Sequence, residues 1–125
     1  MKKKILIIED DMNISKILRI MLQKNGFVTA AAYDAITGKT AIVANAPDLI
    51  LLDISMPGGS GIEIAEFVAT NPKFSATPII IITASGNPEV KAKAEELGVL
   101  AYLEKPFDLK QILEIINKEL NVSSA

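Results

Sequence analysis

Asp48-Leu49-Ile50-Leu51-Leu52-Asp53-Ile54-Ser55-Met56-Pro57-Gly58 is the stretch that decides the fold. Its apolar core, residues 49–52, has no polar alternation, so it does not fit a strand with one wet face. It fits a strand covered on both sides, as in a parallel sheet. The run ends at an acid, Asp53, and then at the turn residues Pro57 and Gly58. Residues 5–8 and 79–82 have the same character, and they too end at polar residues, Glu9-Asp10-Asp11 and Thr83. Residues 99–103 read as another strand. Residues 27–31, with Thr29 and several alanines, read as a weaker one at a sheet edge.

Between these runs the apolar period changes to that of helices. Ile14, Ile17, Leu18, Met21 and Leu22 form one stripe, with Asn13 expected as its cap and Gly26 as its stop. Residues 34–45 and 61–70 follow, the latter burying Ile64, Ala65 and Val68. Asn87-Pro88 opens a fourth helix that stops at Gly98. It has few large apolar residues, so loose anchoring is expected. The last helix opens at Asp108, with Gln111 placed for a capping box and Phe107 with Ile112 for a hydrophobic staple. Strand and helix alternate five times without a long linker, which predicts one α/β domain. Its expected form is a single doubly wound five-stranded parallel sheet of order 2-1-3-4-5 with five helices. That order sets strands 1 and 3 side by side and places ligand chemistry at their carboxyl edge.

Composition removes whole classes of function. The 125 residues contain no Cys and no His, which excludes disulfides, thiolate or imidazole metal sites, Cys nucleophiles and Ser-His-Asp catalysis. Thirteen Lys+Arg against fifteen Asp+Glu give a net charge of −2, so no basic footprint for nucleic acid is present. The apolar run after Lys2-Lys3-Lys4 is too short for a signal peptide, and no run approaches the ~18 residues of a membrane span. A cytoplasmic protein that binds neither membrane nor nucleic acid is the expectation. The remaining chemistry must use carboxylates, hydroxyls, Lys or backbone. Acids ending two adjacent strands repel unless a proton or cation intervenes, and an all-oxygen donor set suits Mg²⁺ better than zinc. Thr83 and Lys105 are expected at the same rim.

These residues, in this order, resemble the receiver domain of two-component response regulators over essentially the whole chain. The matching pieces are Glu9-Asp10-Asp11, Asp53 followed by Met56-Pro57-Gly58, Thr83-Ala84, and Tyr102-Leu103-Glu104-Lys105-Pro106-Phe107. Thr83 and Lys105 stand 30 and 52 positions beyond Asp53, the separations at which such domains carry their Thr and Lys. The resemblance implies a flavodoxin-like, chemotaxis-regulator-like receiver over residues 1–121, with a polar tail over 122–125. It implies that Asp53 accepts a phosphoryl group from a sensor histidine kinase or a histidine phosphotransfer protein, and loses it slowly, without turnover as an enzyme. Glu9, Asp10, Asp53 and the Ser55 carbonyl would hold Mg²⁺, and Thr83 and Lys105 would engage the phosphoryl oxygens. Lys105-Pro106 would be a cis peptide, and Thr83 with Tyr102 would form the switch. Downstream partners would be a protein effector or output domain, with a homodimer as an open alternative, met on the surface of the fourth helix, fifth strand and fifth helix. Ile115 lies off the stripe Leu109, Ile112, Leu113, Ile116, Leu120 and is expected on that surface.

Departures from the family pattern are Glu9 for the commoner Asp, and Gly59-Ser60-Gly61, which suggests a more flexible loop. Ser55 and Ser85 stand at positions that tune phosphoryl lifetime in such domains. Gly38-Lys39-Thr40 ends like a P-loop, but Tyr33 stands where its first glycine is required. Two rival readings are an aspartate-nucleophile, Mg²⁺-dependent phosphohydrolase and a phosphorylation-independent interaction module. The first lacks its second acid, because Ser55 stands there. The second leaves Asp53, Thr83 and Lys105 together unexplained.

Overall fold

In a computed structural model that describes residues 2–55, 61–84 and 87–121, strands and helices alternate strictly. They are β1 (Lys4–Ile8), α1 (Met12–Lys24), β2 (Val28–Ala32), α2 (Ala35–Asn45), β3 (Leu49–Asp53), α3 (Gly61–Thr70), β4 (Ile79–Thr83), α4 (Pro88–Glu96), β5 (Ala101–Glu104) and α5 (Leu109–Leu120). All strand pairs are parallel, in the order β2-β1-β3-β4-β5, as the alternation of elements predicts.

The apolar runs are continuous because the sheet is covered on both faces. Successive side chains of a strand point to opposite faces, so each central strand feeds two cores. Leu6, Ile8, Ile50, Leu52, Ile79 and Ile81 pack with Ile42 of α2, Ile64, Ala65 and Val68 of α3, and Ala94 of α4. Ile5, Ile7, Leu49, Leu51, Ile80 and Ile82 pack with Leu18 and Leu22 of α1 and with Ile112 and Ile116 of α5. Two helices therefore cover one face and three the other. Ala94 is the one buried residue of α4, in keeping with its expected loose anchoring. Among the described residues, no helix is long and apolar enough to cross a membrane.

Several boundaries differ from expectation. Asp11, not Asn13, caps α1, with its carboxylate accepting from the amides of Asn13 (2.9 Å) and Ile14 (3.1 Å). An acid at this position also meets the positive end of the helix dipole. Asp108 caps α5 through the Lys110 amide at 2.9 Å rather than through Gln111. β5 begins at Ala101, because the Val99 amide still closes the end of α4 on the Ala94 carbonyl. Ile115 is half-buried and packs against the α1–α5 core, so it is not the free surface residue its place off the stripe suggested. Gly38 is explained without phosphate, since an added Cβ would lie 3.1–3.2 Å from Ile64 and Ile8 side chains.

Of the expected loop Gly59-Ser60-Gly61, Gly59 and Ser60 lie outside the described residues, and Gly61 belongs to the framework as the first residue of α3. A Cβ there would fall 2.4 Å from the Ile54 Cα and 2.8 Å from the Asp53 carbonyl, both backbone atoms that cannot swing aside. The close approach seats the start of α3 against the segment that leaves β3. Gly61→Ala should therefore lower stability by about 1–3 kcal/mol in urea unfolding, as overpacking of a tight contact does. An unchanged midpoint would show that the contact relaxes freely.

Candidate functional site

Parallel register brings the carboxyl ends of four strands to one edge. Ile8 pairs with Leu52, Asp53 with Ile82, and Thr83 with Glu104. Backbone bonds continue the ladder past the strand ends, from the Glu9 amide to the Ala32 carbonyl (3.0 Å) and from the Lys105 amide to the Thr83 carbonyl (2.8 Å). Glu9, Asp53, Thr83 and Lys105 are thus fixed by the sheet itself. The Lys105–Pro106 peptide bond is cis.

Glu9, Asp53 and Thr83 are 2%, 3% and 1% exposed, whereas Asp10 is open to solvent. Glu9, Asp10 and Asp53 each present a carboxylate oxygen within 4.8 Å of the others, a spacing at which one cation can be shared. The Lys105 ammonium lies 2.9 Å from Glu9 Oε1 and 3.3 Å from Asp53 Oδ2. Two buried carboxylates thus share one ammonium, with the exposed Asp10 carboxylate beside them. The Asp11 carboxylate is committed to the cap of α1, while its amide donates to Glu9 Oε2 at 3.1 Å.

The crowding shows in proton affinity. Burial pushes the Glu9 carboxyl up to about 7, reinforced by the neighbouring Asp53 and opposed by the bond from Lys105. For Lys105, burial alone would lower the ammonium, but Glu9 and Asp53 outweigh it and the net direction is upward. A buried acid of raised proton affinity beside a second acid fits a hard divalent cation with oxygen ligands, which would relieve the repulsion between them.

Ser55 contributes twice. Its amide donates to Asp53 Oδ1 at 2.9 Å and fixes the carboxylate's orientation, while its hydroxyl lies 2.9 Å from the Thr83 hydroxyl. Tyr102 does not join the carboxylate cluster. It pairs with Ile81 on β4, packs toward the core under α2–α4, and carries the Lys91 ammonium 5.9 Å from its ring centroid. Burial, then the charge of Glu104, raises its hydroxyl above the usual phenol range. Residue spacing does not reveal the short Lys105–Glu9 pair or the Ser55–Thr83 bond. The first joins strands separated by two others, and the second depends on a side-chain rotamer. Met56-Pro57-Gly58, Ser85 and residues 122–125 lie outside the described residues.

Comparison with known proteins agrees with this geometry. Residues 5–117 match the response regulator receiver domain family. The chain is 33% identical over 124 residues to sporulation initiation phosphotransferase F of Bacillus subtilis, covering 99% of this chain and 98% of that protein. It is 35% identical over 117 residues to the response regulator ArlR of Staphylococcus saprophyticus, covering 94% of this chain but 52% of that protein. Against the phosphate regulon transcriptional regulatory protein PhoB of Escherichia coli, the identity is 33% over 113 residues, with 90% and 49% covered. The chain thus spans about half the length of ArlR and PhoB. A CheY-like response regulator receiver domain protein from Methanospirillum hungatei superposes with a TM-score of 0.91 at 27% identity, covering 97% of this chain and 95% of that one. Strand order, the carboxylate cluster under Lys105 and these matches lead to one conclusion: the chain belongs to the response regulator receiver domain family.

Proposed function

We propose that this receiver, taken as residues 1–121, accepts a phosphoryl group on Asp53 from a phosphohistidine of a sensor histidine kinase or phosphotransfer protein. The observation that carries this reading is the Asp53 carboxylate: buried, oriented by the Ser55 amide, and 3.3 Å from the Lys105 ammonium. In the transfer, a carboxylate oxygen of Asp53 attacks phosphorus, the P–N bond breaks, and the imidazole leaves with the electron pair. An acyl phosphate results. Lys105 neutralises the phosphoryl oxygens, and Thr83 donates a hydrogen bond to one of them. Later attack by water on phosphorus breaks the new P–O bond, so the domain is a slow, self-acting phosphoacceptor and not a turnover enzyme.

Asp10 and Asp53, with Glu9 through water and the Ser55 carbonyl, would hold Mg²⁺, which supplies positive charge to the transferring group. Tyr102 would follow Thr83 in the switch, and the α4-β5-α5 surface would carry the change to a downstream effector or output domain in the cytoplasm. Position 55 bears on the phosphohydrolase alternative. Its hydroxyl is engaged with Thr83, and no acid stands there to protonate a leaving group.

Incubation with acetyl phosphate and Mg²⁺ should add the mass of one phosphoryl group to the intact wild-type chain and none to Asp53→Asn. A gain that persists in the variant would contradict the assignment. A second expectation follows from Glu9. An acid whose pKa rises on folding favours the folded state while protonated, so that contribution is present at low pH and lost between about 4.5 and about 7. In EDTA, the thermal midpoint should fall from pH 5 to pH 8 in wild type and change less in Glu9→Gln. A wild-type midpoint that rises over this range would contradict the buried-acid account.

A further inference from the structure

Ser55 touches both halves of the site. Its amide holds Asp53 Oδ1 at 2.9 Å, and its hydroxyl holds Thr83 Oγ1 at the same distance. Thr83 is 1% exposed, whereas Ser55 is exposed and remains in reach of water. A hydroxyl has a single proton to donate. If Thr83 donates to Ser55, that proton is unavailable to a phosphoryl oxygen. If Ser55 donates, the Thr83 oxygen is still tethered at hydrogen-bond length. In either orientation, a switch that carries the Thr83 hydroxyl away from Ser55 would cost this bond.

We infer that the Ser55 hydroxyl is a positioning group that holds Thr83 in the resting arrangement, so that it opposes the switch and sets how readily Asp53 chemistry draws Thr83 in. The inference rests on the reading of Asp53 as the phosphoacceptor. It assigns the side chain of Ser55 a role separate from that of its carbonyl, and it concerns the resting equilibrium rather than the survival of the acyl phosphate. Because Ser55 can exchange Thr83 for water, the effect is that of one ordinary hydrogen bond, about fivefold in an equilibrium constant.

The test is titration of the whole chain with beryllofluoride, an acyl-phosphate mimic, in Mg²⁺, following the Thr83 methyl resonance. Ser55→Ala should bind about fivefold tighter than wild type. Ser55→Thr, which keeps the hydroxyl, should bind like wild type, and Ser55→Gly should reproduce Ser55→Ala. In a Thr83→Ala background, followed by the Ser55 amide or its residue-55 equivalent, the gain from Ser55→Ala should vanish. Equal or weaker binding by Ser55→Ala and Ser55→Gly, or a gain that survives in Thr83→Ala, would overturn the inference while leaving the phosphoacceptor reading intact. Failure of the wild type to bind beryllofluoride would instead overturn both.

Discussion

Glu9 and Asp53, two carboxylates almost sealed from water, share the single ammonium of Lys105 at 2.9 and 3.3 Å, with Asp10 open beside them. Nothing in packing calls for this arrangement. Withdrawing one partner from a buried ion pair typically costs about 3–5 kcal/mol. The figure is smaller where an ammonium keeps contact with water, as Lys105 does with 19% of its side chain exposed. The sheet sustains this concentration of charge because β1, β3 and β4 bury side chains on both faces. Their rigid ends then deliver the charged groups to one edge.

The arrangement favours added positive charge and, on the proposed reading, would then accept a phosphoryl group. Moving a two-state switch from 1:99 to 99:1 takes about 5.5 kcal/mol of differential binding. One hydroxyl bond, worth about 1 kcal/mol, cannot reverse such a switch but can trim its threshold. On the proposed reading, Ser55 and Thr83 would modulate a response whose main driving force is electrostatic, the new group on Asp53 meeting Lys105.

The central strands were legible in the sequence because burial on both faces leaves an uninterrupted apolar run, as at residues 49–52 and 79–82. The edge strand β5 was less so: Val99 and Leu100 carry the same residue types, but the Val99 amide still belongs to the turn after α4. Three acids in a row after β1 gave no sign of which would cap α1, and only the backbone assigns that task to Asp11. Asp53, Thr83 and Lys105 could be placed at one rim from strand order alone. The preference of Lys105 for Glu9 and the engagement of Ser55 with Thr83 depend on side-chain reach across the strand ends, which periodicity does not encode.

The central claim is that carboxylates crowded at this edge await a divalent cation. The Ser55 amide reports on it most directly, because it donates to Asp53 Oδ1. In a magnesium titration followed by amide NMR, the account predicts a saturable shift of the Ser55 resonance, fitted by one site and lost in Asp10→Ala. A Ser55 resonance that stays still up to saturating magnesium, or that moves equally in Asp10→Ala, would contradict it.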